Sequence, residues 1–171
     1  MRRLLSAVFC LVLHVALSDP VSAQSAAPTV GCPGSEHRQF EFWVGDWSVT
    51  AQGNQAGTNL VTLEEDGCLI HEHWTGARGG TGQSFNFYDQ SARKWHQLWV
   101  DNQGGYLDLT GTYAERRLIL VGVQPAPDGS STQQRLTFFN NTDGSVRQLW
   151  ESSADQGKTW QVAFDGLYRR R

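Results

Sequence analysis

Gln83-Ser84-Phe85-Asn86-Phe87-Tyr88-Asp89-Gln90-Ser91-Ala92-Arg93-Lys94-Trp95-His96-Gln97-Leu98-Trp99-Val100-Asp101 separates a β chain from a helical one. Two runs rich in aromatic and apolar residues, Gln83–Asp89 and Lys94–Asp101, flank a polar turn from Asp89 to Arg93, the pattern of an antiparallel hairpin. Neither run has a helical period. In a strand, residues two apart share a face, so Asn86 falls beside Tyr88, and Gln97 between Trp95 and Trp99. Such a face sets hydrogen-bonding groups among flat apolar walls, which suits the lining of a pocket.

The same device recurs on either side of this hairpin, as Glu72 with Trp74 and as Gln148 with Trp150. Turn chemistry at Glu65-Asp66-Gly67, Asn102 to Gly105, Pro125 to Ser130, Asn140 to Ser145 and Ala154 to Lys158 separates the remaining runs. The expected strands are Trp47–Ala51, Asn59–Glu65, Cys68–Thr75, Gln83–Asp89, Lys94–Asp101, Tyr106–Tyr113, Arg117–Val123, Gln133–Asn140, Val146–Ser153 and Thr159–Tyr168. Loops this short require antiparallel neighbours, and a long meander hides its unpaired edges by closing on itself. The expected fold is all-β, a single up-and-down antiparallel barrel of about ten strands. A short helix capped by Ser35 and running to about Phe42 precedes it. A two-sheet sandwich is the alternative architecture.

The N-terminus reads as an address. Arg2 and Arg3 precede an apolar run from Leu4 to Leu17, and Val21-Ser22-Ala23 offers a small-residue cleavage pattern, so residues 1–23 are expected to be a signal peptide. The run is shorter than the roughly 20 residues of a spanning helix, and no membrane association is expected after cleavage. Thr29-Val30-Gly31-Cys32 is the alternative reading, a lipid-attachment box, but it lies far beyond the apolar run and lacks the usual leucine. Residues 24–34 are expected to be a flexible segment, and residues 35–171 one barrel domain.

Removal of residues 1–23 takes away Arg2, Arg3 and Asp19 and shifts the formal net charge from −3 to −4. This mild acidity, with Arg169, Arg170 and Arg171 as the only basic cluster, argues against nucleic acid as a partner. Oligomeric state is left open. Cys10 leaves with the signal; Cys32 and Cys68 remain in a chain read as periplasmic or secreted, where an even count favours a disulfide. It would close a loop of about 35 residues, contributing roughly 3 to 4 kcal/mol through the unfolded state. A reactive thiol is the competing reading and has no CxxC motif behind it.

Gly45-Asp46-Trp47, at the start of the first strand, resembles the G-x-W signature of lipocalins and other calycins. There the Trp closes one barrel end under a basic residue of the last strand, a role open here to Arg169 or Arg170. A wider resemblance, over nearly the whole mature chain, is to the mostly bacterial family known as domain of unknown function 1579. It is carried by Phe40-Glu41-Phe42-Trp43-Val44-Gly45-Asp46-Trp47, Gly67-Cys68-Leu69-Ile70-His71-Glu72-His73-Trp74, Phe85-Asn86-Phe87-Tyr88-Asp89, Lys94-Trp95-His96-Gln97-Leu98-Trp99-Val100-Asp101 and Phe164-Asp165-Gly166-Leu167-Tyr168. What the resemblance implies is a calycin-like barrel.

For function, the interior set predicts binding of a small, partly polar and partly flat ligand. Trp74, Trp95, Trp99 and Trp150 would supply stacking area, and Glu72, Asn86, Gln97, Gln148 and Tyr88 would orient the ligand by hydrogen bonds. No cofactor is expected. The bland alternative is that these side chains fill a packed core. An enzymatic alternative uses the carboxylates Glu72 and Asp101, which share a face, whereas parity turns Glu151 away. A metal alternative uses His71, His73 and His96, although parity points His71 and His73 outward if Glu72 and Trp74 point in. Haem would need an axial ligand, for which His37 and His96 are the candidates. A third class, a protein-interaction face, would use Phe85, Phe87 and Phe139. Ser153-Ala154-Asp155-Gln156-Gly157-Lys158-Thr159-Trp160 resembles the Asp box of sialidase propellers, and as a single copy reads as a stable turn between the last two strands.

Overall fold

The computed structural model describes residues 31–171; the signal-peptide reading and most of the 24–34 segment lie outside the described residues. Ten strands follow one another: β1 (Gly45–Ala51), β2 (Asn54–Glu64), β3 (Leu69–Gly76), β4 (Thr81–Asp89), β5 (Lys94–Asp101), β6 (Tyr106–Ala114), β7 (Arg117–Pro125), β8 (Ser131–Asn140), β9 (Val146–Ser153) and β10 (Gln161–Arg170). Each pairs antiparallel with the next, and β1 pairs with β10, so the sheet closes into a barrel. Closure leaves no free sheet edge, and it overturns the sandwich alternative.

Two local expectations are corrected. β2 starts at Asn54, five residues before the expected Asn59, because Gln52 and Gly53 both take positive φ (51° and 77°). That two-residue turn matches the twist of its flanking strands and carries the ladder straight on from Ala51 to Asn54. The N-terminal helix is two 3-10 turns, Ser35–Arg38 and Glu41–Trp43; Ser35 lies inside the first and Gly34 stands at its start without a side-chain cap.

These turns carry Phe40 and Trp43 into one end of the barrel, where both are fully buried. Phe40 stacks on Trp43 at 4.9 Å, and Phe138 of β8 packs on both, at 4.9 Å and 4.7 Å. Trp47 closes this end: its Nε1 donates to the Trp43 carbonyl at 2.8 Å, and the Arg170 guanidinium lies 4.5 Å over its ring. Arg170, and not Arg169, takes the basic role because it is the residue paired with Trp47 across β1 and β10. Cys32 and Cys68 form a disulfide with Cα atoms 5.2 Å apart, tying the N-terminal segment to the start of β3. No helix among the described residues is long and apolar enough to cross a membrane.

Candidate functional site

Toward the end opposite the plug the interior stays open, as a cavity of about 250 Å³. Its polar lining is Glu72, Gln97, Asp101, Gln148 and Tyr168; its walls are Trp74, Trp99, Trp150 and Phe164, with Leu107, Leu136 and Ala163 between them. Strand parity sets this up. Glu72 faces Ser84 across β3 and β4, and Ser84 faces Trp99 across β4 and β5, so all three lie on the inner face.

The floor is a directed hydrogen-bond network. Asn86 Nδ2 donates to the Ile70 carbonyl at 3.0 Å, which fixes the orientation of its amide. Asn86 Oδ1 must then accept, and Gln97 Nε2 donates to it at 2.7 Å. The Gln97 oxygen is thereby left as an acceptor, and the residue lines the cavity. Glu72, 3 % exposed, accepts from Asn59 Nδ2 at 2.7 Å and from the Ser84 hydroxyl at 2.6 Å. Burial pushes its carboxyl up to about 7, against the pull of those two hydrogen bonds. The Tyr168 hydroxyl donates to Gln148 Oε1; burial first, then the Glu72 charge, raises its phenol well above the usual range.

The walls depend on missing side chains. Trp74 lies against Gly57 of β2, where a Cβ would come within 2.7 Å of the indole. Trp99 lies in the same way on Gly82 of β4, and Phe164 on Gly166 of its own strand, each so close that a Cβ would collide with the ring. Glycine at these positions lets the rings lie flat along the barrel wall instead of projecting across its axis. Trp150 is held differently, by donation from Nε1 to Gln134 Oε1 at 2.7 Å.

Of the expected lining, Glu72, Trp74, Gln97, Trp99, Gln148 and Trp150 meet at the cavity, and Asn86, Tyr88 and Trp95 do not. Asn86 is fully buried beneath Gln97. Trp95 and Tyr88 sit 6.0 Å apart at the plugged end, with Trp95 edge-on to Phe40 and its Nε1 bonded to Gln39. Parity gives the face of a residue but not its height, and the plug occupies the lower half of that face. Phe164 and Tyr168 of β10 complete the site unannounced; their alternation with Gly166 was the signal available. Asn59 and Ser84 were missed because neither has an aromatic residue two positions away on its own face of the strand.

The histidines lie off this cavity. His96 is on the outer face, paired with Asp108 at 2.8 Å, so the His71, His73 and His96 set does not assemble. His71 and His73 meet Glu64 instead, with ligand atoms of the three within 4.8 Å of one another on the outer surface, an arrangement that could hold a metal ion. His37 is buried in the plug against Tyr88 and bonded to Gln90 at 3.1 Å, so neither haem candidate reaches the cavity. The enzymatic pair does share the cavity, but Asp101 Oδ1 is committed to the turn amides of Gln103 and Gly105, both at 2.8 Å. Glu151 points outward to Arg135.

Phe85 and Phe87 are exposed on β4, whereas Phe139 is on β8 with Arg147 over its ring, so the three do not form one face. Phe85 continues instead into Leu98, Val100 and Tyr106, cross-strand or diagonal neighbours that are each at least 40 % exposed. The Asp-box segment is a turn: Asp155 accepts from Thr159 N and Oγ1 at 2.8 Å and 2.7 Å, Ser153 Oγ accepts from Gly157 N, and Trp160 covers the loop by bonding Gly157 O. Those hydrogen bonds, Thr159's first, lower the Asp155 carboxyl to about 2. Comparison with protein-family models and with curated proteins gives no match.

Proposed function

We propose that the chain is an exported barrel that binds a small, partly polar and partly flat molecule in its open end. The observation that carries this reading is convergence. Three tryptophans and a phenylalanine line the same space as Gln97, whose oxygen is left as an acceptor, and Glu72. The volume of about 250 Å³ is just below the usual range for ligand pockets, roughly 300–1,000 Å³, which suits a compact ligand. The disulfide supports export. The likeness to calycins remains part of this proposal and rests on the Gly45-Asp46-Trp47 motif with Arg170 over the Trp47 ring.

Neighbouring residues on opposite faces provide the test. Gln97→Leu nearly preserves volume but removes an orienting acceptor from the cavity, whereas His96→Leu alters only the outer face. Quenching of tryptophan fluorescence by small aromatic and amphipathic compounds should weaken in Gln97→Leu and persist in His96→Leu. Equal loss in both variants would point to general destabilisation. Loss in the histidine variant alone would place the ligand outside the barrel.

The apolar band of Phe85, Leu98, Val100 and Tyr106 favours a second reading, an interaction face for another polypeptide. Sedimentation of the wild type against Leu98→Ser tests it; an unchanged monomer in both would set it aside.

A further inference from the structure

The charge of the cavity is one-sided. Two carboxylates, Glu72 and Asp101, line it, and no Lys, Arg or His does. Glu72 is 3 % exposed, and its side-chain hydrogen-bond partners, Asn59 and Ser84, are both neutral. Buried carboxylates are ordinarily paired with a positive group, because neutral donors recover only part of the lost hydration. Above the same floor stand the indole faces of Trp74, Trp99 and Trp150, and indole is the best aromatic partner of a cation.

Resting on the binding reading above, we propose that the cavity selects an organic cation, an ammonium group carried on a compact apolar or aromatic body. The ammonium sits at Glu72 and the body lies between the tryptophans. The Gln97 oxygen, fixed as an acceptor by the Asn86 network, serves any N–H the cation carries. An anion of the same size would face two carboxylates with no compensating charge. A neutral molecule would leave Glu72 without its partner. The Gln148 amide nitrogen and the Tyr168 oxygen are the remaining polar groups at this site, and neither carries a positive charge. The elevated carboxyl of Glu72 is the behaviour expected of a buried acid whose counter-charge arrives with the ligand.

The experiment compares three ligands of one shape: phenyltrimethylammonium, its uncharged isostere tert-butylbenzene, and benzenesulfonate. Each is titrated at pH 8 into the full mature chain and read by tryptophan fluorescence and calorimetry. The cation should bind on the order of ten- to thirty-fold more tightly than the isostere, and the sulfonate should not compete. Glu72→Gln, which keeps the shape of the floor, should erase most of that preference, bringing cation and isostere to similar affinities; Trp99→Leu should weaken the cation more than the isostere.

Equal binding of cation and isostere, or tighter binding of the sulfonate, overturns the cation assignment and leaves the pocket reading standing. A preference undiminished in Glu72→Gln overturns it as well. Failure of all three ligands to bind overturns the pocket reading and the assignment with it.

Discussion

Glu72 makes the fold itself pH-dependent, in a direction opposite to that of an ion-paired acid. Its carboxyl moves from an ordinary 4.5 to about 7 in the folded protein, chiefly through burial. Between those values the native state keeps a proton that the unfolded chain has released. The stability attached to Glu72 is therefore complete below pH 4.5, is lost as pH rises, and levels off above about 7. Evaluated at pH 5 and pH 8, at roughly 1.4 kcal/mol per pH unit, the difference comes to about 2.5 kcal/mol. That is roughly 5 to 10 °C in Tm for a chain of this length. Urea unfolding of wild type and Glu72→Gln at the two pH values measures it. The wild type should lose about 2.5 kcal/mol more than the variant on going to pH 8. Parallel losses would mean that Glu72 is hydrated and ionised throughout, and the reading of a dry, unpaired carboxylate would fail.

Two further substitutions separate the closed end of the barrel from the open one. Trp47→Ala removes a fully buried indole together with its bond to the Trp43 carbonyl and its stack under Arg170, and should cost about 3 to 5 kcal/mol in denaturant unfolding; melting like the wild type would contradict its role in closing that end. Gly82→Ala forces the Trp99 indole off the wall and into the cavity, so it should cost about 1 to 3 kcal/mol and abolish uptake of small aromatic compounds. Gly80→Ala, where a Cβ meets nothing within 4 Å, should do neither.

The hairpin from Gln83 to Asp101 made the barrel legible because its alternation and its turn were both local. The face of each residue was legible for the same reason: Glu72, Gln97 and Gln148 point in, while His71, His73, His96 and Glu151 point out. Height within the barrel was not legible, and that is why Trp95 and Tyr88 were grouped with Trp99 although they meet the plug. It depends on how far Phe40 and Trp43 penetrate, which is a tertiary outcome. The glycines beneath the rings were invisible for a related reason. Gly82 and Trp99 lie diagonally across two strands, and only the register shows that one exists to accommodate the other. The early start of β2 was hidden by Gln52, a residue that takes positive φ without being glycine, asparagine or aspartate.

The central claim is that the open end of the barrel admits a small molecule among its tryptophans, and the indole N–H signals of a nitrogen-15-labelled sample test it directly. The chain has seven tryptophans, of which Trp74, Trp99 and Trp150 line the cavity, while Trp43, Trp47, Trp95 and Trp160 do not. Titration with a mixture of small cationic, neutral and anionic aromatic compounds should move the three cavity signals and leave the other four in place. Seven unmoved signals, or movement centred on Trp160 at the outer turn, would contradict the account.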